Sequence, residues 1–97
     1  IVSNEPGYYR EGAFGIRIEN LIAVVSAAPI KGGDDRDMLA FENLTYVPLD
    51  RRLIETKLLS QAERDWIDGY HAATLHRLGP DLDKDARVWL DQACAPL

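Results

Sequence analysis

The residue pattern of this chain changes near Asp50, and the change limits the folds that the chain can adopt. Residues 1–50 are rich in β-branched residues separated by Gly and Pro, a pattern typical of short strands. Residues 51–97 instead carry apolar residues at helical spacing. Because strands come first and helices last, without an internal repeat, the sequence predicts an α+β fold in which antiparallel strands are followed by two or three helices.

Three strand regions are predicted in the first half. A short run covers residues 1–5, and a longer run covers residues 14–25. Between them, Pro6 and Gly7 suit the second and third positions of a type II turn, because proline fixes one φ angle and glycine supplies a positive one. A second turn region is predicted at Gly12. A third strand is predicted over residues 38–47, and the simplest arrangement pairs the first two strands as neighbours.

Two helices are predicted in the second half, after a short helical segment at residues 51–58. Ser60 and Glu63 have the spacing of a capping box, in which each residue satisfies a free backbone N–H of the other. Gly79-Pro80 is expected to end this first helix. The last helix is predicted over residues 81–94.

Five single residues in the second half receive structural predictions. Trp66 and Trp89 are expected to pin the helices together or onto the sheet, since packed Trp is much commoner than Trp that stacks on a cofactor. Cys94 is the single cysteine, which excludes an internal disulfide, and it is expected to be buried as a small apolar residue. His71 and His76 are five residues apart, so they do not share a helix face, and a surface or partly buried structural role is expected for both.

Charge and hydropathy exclude two classes of partner. The net charge is −5 with Lys and Arg scattered, whereas nucleic acids and anionic membranes require a concentrated basic surface. No apolar run approaches the roughly 20 residues needed to cross a bilayer. Because Ile1 lies within a predicted strand, we expect the chain to be a piece of a longer protein.

Three charged residues of the strand region are candidates for a metal site. Arg17 and Glu19 lie in the longer strand, whose apolar residues occupy both faces, so we expect them at the edge of a dry region where a carboxylate needs a partner. Glu5, just before the predicted turn, comes within reach of Glu19 if the two strands pair. Converging carboxylate oxygens suit a hard cation such as manganese or magnesium. A simple ion pair between Arg17 and Glu19, or solvation of both, is the alternative.

Two motifs surround these residues, Ser3-Asn4-Glu5-Pro6-Gly7-Tyr8-Tyr9 and Phe14-Gly15-Ile16-Arg17-Ile18-Glu19-Asn20-Leu21. They resemble the motifs that end the catalytic domain of Xaa-Pro aminopeptidases, the aminopeptidase P group of creatinase-like "pita-bread" metallopeptidases. Later motifs resemble the C-terminal extension of the long, cytosolic-type members. These are Phe41-Glu42-Asn43-Leu44-Thr45, Pro48-Leu49-Asp50, Trp66-Ile67-Asp68-Gly69-Tyr70-His71, and Trp89-Leu90 near Ala95-Pro96-Leu97.

The resemblance implies a role for each candidate residue and a division of the chain. Residues 1–50 would complete a metallopeptidase catalytic domain, the C-terminal part of a pita-bread fold, and residues 51–97 would form the helical extension. In this family, Glu5 corresponds to a ligand of one metal ion and Glu19 to a bridge between two ions, usually manganese. Arg17 would orient the carboxylates, and Tyr9 would line the pocket. The remaining ligands and the catalytic His residues belong to an upstream part, so no catalytic residue is assigned here.

The resemblance also implies a function for the intact protein. It would be a cytoplasmic enzyme that removes an N-terminal residue preceding proline, acting on peptides with proline at the second position. It would form a homodimer through the extension. The present chain alone is expected to hold neither metal ion and to be inactive. Two alternatives remain, a non-enzymatic interaction or dimerisation module of the same fold and an unrelated stand-alone domain. Retention of Glu5 and Glu19 favours the enzyme.

Overall fold

The computed structural model describes all 97 residues, which form two compact units, Ile1–Thr45 and Tyr46–Leu97. The first unit contains five strands, β1 (Val2–Asn4), β2 (Gly7–Arg10), β3 (Phe14–Arg17), β4 (Asn20–Ser26) and β5 (Leu39–Asn43). The second contains the helices α1 (Gln61–Leu78) and α2 (Lys84–Ala93) and 3-10 turns at Arg51–Leu53, Thr56–Leu58 and Gly79–Asp81. This order of elements confirms the predicted α+β class.

Strands β1 to β4 form one long antiparallel hairpin that is interrupted near its middle. β1 pairs with β4 and β2 pairs with β3, and the register pairs nearest the interruption are Asn4 with Asn20 and Gly7 with Arg17. Both ladders follow the same register, and the N–H of Ile18 donates to the carbonyl of Pro6 (3.2 Å) between them. Because Pro6 has no N–H to donate, the ladder cannot continue unbroken through this point.

The predicted turn at Pro6-Gly7 is wrong. Gly7 does not have a positive φ angle, and β2 continues from it along the direction of β1. The chain reverses at Gly12, where the second turn region is predicted. The φ angle of Gly12 is 69°, and the N–H of Ala13 donates to the carbonyl of Arg10 (3.1 Å) across that reversal. Glycine suits this position because its φ lies in the left-handed region.

The other strands form in the predicted regions, but their lengths differ from the prediction. The region from residue 14 to residue 25 forms two strands, since the interruption opposite Pro6 divides it. β5 is shorter than the predicted third strand. It pairs antiparallel with β4 and ends at Asn43, whose side-chain Oδ1 accepts a hydrogen bond from Asn20 Nδ2 (2.8 Å). Just beyond β5, Thr45 Oγ1 accepts from the N–H of Leu21 (3.0 Å).

The expectation of a strand covered on both faces is not met within this chain. Every residue of β2 and β3 is exposed, and Ile22 of β4 is the buried hydrophobic residue of the first unit. A hairpin of four-residue strands buries little surface alone, because it presents two faces and no second layer. The apolar residues on both faces therefore provide surface that this chain does not itself cover.

The capping box that begins α1 is confirmed. The N–H of Glu63 donates to Ser60 Oγ (3.3 Å), and the N–H of Ser60 donates to the Glu63 carboxylate (2.8 Å). Hydrogen bonds from Ser60 also lower the pKa of Glu63. The helix ends at Leu78, as Gly79-Pro80 predicts. α2 begins later than predicted because Asp83 is its N-cap, accepting from the N–H of Ala86 (2.9 Å).

The second unit has a small core on the inner faces of its two helices. Its buried side chains are those of Ile67, Tyr70, His71, Thr74, Leu90 and Cys94. Cys94 is buried as predicted, and burial raises the pKa of its thiol. The prediction for the two tryptophans is wrong, since Trp66 is 52% exposed and stacks on Tyr70 of its own helix (centroids 5.6 Å apart), while Trp89 is 61% exposed. No helix combines the length and the apolar composition that a membrane span requires.

Candidate metal centre

Glu5 and Glu19 lie across from each other at the interruption of the long hairpin. Continuing the β1–β4 register by one pair beyond Asn4 and Asn20 places Glu5 opposite Glu19. Their side chains are about half exposed (45% and 48%). Directly opposed carboxylates repel each other unless a cation lies between them, because like charges across a strand pair are destabilising. This position therefore requires positive charge.

Arg17 supplies positive charge to both carboxylates. Its Nη1 atom is 3.4 Å from Glu5 Oε2, and its Nε atom is 3.5 Å from Glu19 Oε2. Both distances exceed the about 2.7–2.9 Å of a close charge-assisted hydrogen bond. The guanidinium thus faces Glu5 with one nitrogen and Glu19 with another, and it offsets both negative charges. It forms a tight bidentate pair with neither carboxylate.

Tyr9 is the fourth predicted site residue, and it lies beside Arg17. The two are diagonal neighbours on one face of the β2–β3 ladder, since Tyr9 pairs with Gly15 and Arg17 pairs with Gly7. Tyr9 is the main reason that the pKa of Arg17 is raised, through a polar contact of its hydroxyl and the negative charge that a phenolate carries at high pH. The carboxylates of Glu19 and Glu5 raise the same pKa further.

The donor atoms present fit part of a site for hard divalent cations. Glu5 and Glu19 offer carboxylate oxygens, the ligand type that manganese and magnesium prefer. Glu19 Oε1 accepts a long hydrogen bond from Ser3 Oγ (3.5 Å), so its oxygens are only loosely engaged. No group of three or more His, Cys, Asp or Glu side chains converges within this chain. The two carboxylates are thus a partial ligand set.

All four predicted site residues lie together, although the path of the chain that brings them together differs from the prediction. Glu5 approaches Glu19 by continuing the hairpin past Pro6 and not by a turn at that residue. Ser3 was not singled out. It lies two residues before Glu5 in an extended segment and so shares its face, a period-two relation that is visible in the sequence.

The two histidines belong to the second unit. His71 is fully buried, and its Nε2 atom accepts a hydrogen bond from the N–H of Leu49 (3.0 Å). Burial lowers the pKa of His71, the charge of Arg51 lowers it further, and Asp68 opposes both. His76 is exposed on the same helix. The hydrogen bond with Leu49 gives His71 a structural role, but its full burial differs from the surface or partly buried position that was predicted.

Comparison with known proteins identifies relatives along the whole chain. The family model for the C-terminal region of peptidase M24 matches residues 37–97. A probable Xaa-Pro aminopeptidase P of Laccaria bicolor is 43% identical over 98 residues, which make up 99% of this chain and 15% of that protein. A probable Xaa-Pro aminopeptidase P of Tuber melanosporum is also 43% identical over 98 residues, 99% of this chain and 16% of its own length.

A solved structure shows the same fold. The X-prolyl aminopeptidase of Caenorhabditis elegans, described as a cytosolic enzyme with a di-nuclear active site, matches with a TM-score of 0.83 and 34% identity. The match covers 98% of this chain and 16% of that one, so the chain spans about one sixth of the length of these relatives. The α+β arrangement is therefore that of the C-terminal part of a pita-bread fold, and the chain belongs to the peptidase M24 family, in which it matches the C-terminal region of Xaa-Pro aminopeptidase P proteins.

Proposed function

We propose that this chain is the C-terminal part of a longer, dinuclear-metal aminopeptidase that removes an N-terminal residue preceding proline. The observation that carries the proposal is the meeting of Glu5 and Glu19 around Arg17 at the interruption of the hairpin. Relatives that are 43% identical over 99% of the chain bear the name of that activity. In this proposal, residues 1–50 complete the catalytic domain, and residues 51–97 form its helical extension.

Each of the four residues has a distinct part in this proposal. Glu19 would serve as a ligand of both divalent cations, and Glu5 would hold one of them. The chemistry that such paired cations supply in hydrolases is activation of a water molecule and polarisation of the scissile carbonyl. Arg17 balances the two carboxylate charges and fixes their orientation, as groups behind metal ligands commonly do.

Tyr9 is proposed to act from the substrate side of this group. The residue is 63% exposed, although its side chain contacts Arg17. Part of the ring is therefore free to line a substrate pocket. Its hydroxyl restrains the guanidinium. Manganese is the proposed metal, and the cytoplasm is the proposed location because the nematode relative is described as cytosolic.

The second unit is proposed to form a homodimer contact. A groove on this unit is lined by the apolar residues Val47, Pro48, Leu49, Trp89 and Ala93 and by the polar residues Asp50, Arg51, Arg52 and Gln92. Val47 and Trp89 are each at least 60% exposed. Large exposed aromatic residues in an apolar groove are typical of the centre of a protein interface. A second copy of the extension is the proposed occupant.

The proposed activity is tested with the full-length protein that carries this chain. The protein is stripped of metal, reloaded with manganese, and assayed on a peptide with proline at the second position. The matched control is the same peptide with alanine at that position. We expect metal-dependent release of the first residue from the proline peptide and little release from the control. Equal cleavage of both peptides, or no binding of metal, would contradict the proposal.

A further inference from the structure

Two glycines of the hairpin lie directly beneath the side chains that surround Glu5 and Glu19. On one face of the β2–β3 ladder, Tyr9 lies across from Gly15, and Arg17 lies across from Gly7. The small residues occupy one diagonal of this face, and the large residues occupy the other. Diagonal neighbours in an antiparallel pair are about 7–8 Å apart, which long side chains can span.

Tyr9 approaches the backbone of Gly15 so closely that no side chain could fit at position 15. A Cβ atom at Gly15 would lie 2.6 Å from Cδ1 and 2.9 Å from Cε1 of Tyr9. Carbon atoms in favourable contact are about 3.5–4.0 Å apart. The ring of Tyr9 therefore lies directly on the backbone of the opposite strand, at the position that a Cβ atom would fill.

Gly7 makes a similar approach possible for Arg17. A Cβ atom at Gly7 would lie 2.7 Å from Cγ of Arg17 and 3.0 Å from Cε2 of Tyr9. The same missing atom thus provides space for both large residues. Tyr9 contacts both glycines, and Arg17 reaches from this face to within 3.4 Å of Glu5 and 3.5 Å of Glu19.

Backbone conformation does not explain why glycine occupies positions 7 and 15. Neither Gly7 nor Gly15 has a positive φ angle, unlike Gly12 at the hairpin end. In a strand with ordinary angles, glycine weakens the structure because it loses more backbone entropy on folding and offers no side chain to pack. The two ladders keep one register without a bulge, so a close approach of another group is the physical reason that fits glycine at these positions.

We propose that Gly7 and Gly15 are positioning residues for the carboxylate pair, because they let Tyr9 lie flat on the hairpin and hold Arg17 where its guanidinium reaches both Glu5 and Glu19. This inference rests on the proposed function, since it assigns the glycines to the same site. Neither glycine touches a metal or a substrate in this account. They act through Tyr9 and Arg17.

The test compares matched Gly→Ala variants of the full-length protein that carries this chain. Gly15→Ala fills the space under Tyr9. Gly69→Ala is the control, because a Cβ atom at Gly69 meets nothing within 4 Å and its φ is not positive. The affinity of each metal-free protein for manganese is measured by calorimetry. We expect Gly15→Ala to weaken binding by about 10- to 100-fold, the usual effect of disturbing a group behind a ligand, and Gly69→Ala to leave the affinity unchanged.

A double variant separates positioning from a general loss of strand stability. If Gly15 acts through Tyr9, then Tyr9→Ala/Gly15→Ala should bind manganese as tightly as Tyr9→Ala alone, because the ring that needs the space is absent. If the alanine merely weakens the hairpin, the loss should appear in full in both backgrounds, since independent effects add. That additive result would overturn the inference, as would an unchanged affinity in Gly15→Ala.

A crystal structure of the metal-free Gly15→Ala protein tests the role of Gly15 separately from the proposed function. We expect the guanidinium of Arg17 to lie more than 4 Å from at least one of the carboxylates that it contacts at 3.4 and 3.5 Å in the native chain. Retention of both contacts would overturn the inference whether or not the protein binds metal. A native protein that binds no manganese would instead contradict the proposed function, and the position of Arg17 would still decide the role of Gly15.

Discussion

At the scale of single residues, the chain uses buried and half-exposed polar groups in different ways. Arg17 makes two long, half-exposed ion pairs, which contribute little to stability because water competes for the charges. His71 instead makes one hydrogen bond in a fully buried position. Because the N–H of Leu49 donates to Nε2 of His71, the imidazole must be neutral, with its proton on Nδ1.

The burial of neutral His71 predicts a loss of stability in mild acid. Its pKa in the folded chain is below the ordinary value of about 6.5, so the unfolded state binds more protons once the pH falls below that value. The free energy of unfolding should therefore decrease as the pH falls from about 6.5 toward the lower pKa of the folded state, and stop decreasing below it. Protonation of Nε2 would also remove the acceptor of the Leu49 N–H.

This pH dependence is measured from thermal midpoints between about pH 7.5 and pH 5. His71→Gln keeps a hydrogen-bond acceptor but does not titrate, so the decrease between these values should become smaller. His76→Gln, which removes the exposed histidine of the same helix, is the control and should retain the native pH dependence. An equal decrease in His71→Gln and in the native chain would show that other groups cause it.

At the scale of elements, the sequence predicts the helices better than the strands. α1 is set by local chemistry, with Ser60 and Glu63 at one end and Gly79-Pro80 at the other, so its bounds could be predicted from neighbouring residues. The hairpin depends on pairing between distant residues. Pro6-Gly7 fits a turn by composition, but pairing of Gly7 with Arg17 keeps the strand extended, and tertiary context overrides the local preference.

The residues of the candidate site could be singled out from the sequence, but their arrangement could not. Glu5, Glu19, Arg17 and Tyr9 carry recognisable chemistry, and their motifs identify them. The packing of Tyr9 on Gly15 could not be predicted, because it depends on register and on distances of tenths of an ångström. The exposure of Trp66 and Trp89 could not be predicted either, since an apolar stripe does not reveal whether the chain itself covers it.

The capping box of α1 gives a prediction about stability. Ser60→Ala removes the acceptor of the Glu63 N–H and the partner of the Glu63 carboxylate. The expected cost is about 1 kcal/mol, the usual loss for an N-cap serine, which for a domain of this size lowers the thermal midpoint by about 4–8 °C. Ser26→Ala, at the exposed end of β4, is the control. Equal midpoints for the two variants would contradict the capping role.

At the scale of the whole molecule, the chain is rich in exposed apolar surface. The first unit buries one large hydrophobic residue, Ile22, and the second leaves Trp66, Leu58 and Trp89 more than half exposed. A chain of this size has little core, because the fraction of surface buried on folding falls with length. In the proposed full-length protein, other parts of the polypeptide and a second subunit would cover these surfaces.

The proposed homodimer predicts that a charge in the groove of the second unit separates the subunits. Trp89→Glu replaces the largest exposed side chain of that groove with a carboxylate, and the dimer should weaken by more than about tenfold, as expected for the loss of a central aromatic contact. Leu58→Glu adds the same charge at an exposed apolar residue outside the groove and should leave the dimer intact. The mass in solution is measured by light scattering over a range of concentrations. Native protein that is monomeric throughout would disprove the homodimer.

The partial ligand set predicts that the 97-residue chain is inactive alone. Two carboxylates cannot fix two hydrated cations, because a metal centre with most of its ligands missing binds too weakly. The purified chain with excess manganese should release no residue from a peptide with proline at the second position. Turnover that persists after repeated purification would show that these residues are not part of a larger site.

Glu19 is proposed to be a metal ligand and not only the partner of Arg17. The most direct test is the manganese content of the full-length Glu19→Gln protein, measured together with its rate and its thermal midpoint. Glu11→Gln, at the exposed end of the same hairpin, is the control. We expect Glu19→Gln to lose at least one metal ion and more than about 100-fold in rate, beyond the usual effect of groups behind a ligand. Glu5→Gln should lose less, because Glu5 is proposed to hold a single ion. Full manganese content with a near-normal rate in Glu19→Gln would contradict the claim and leave Glu19 as one half of a structural ion pair.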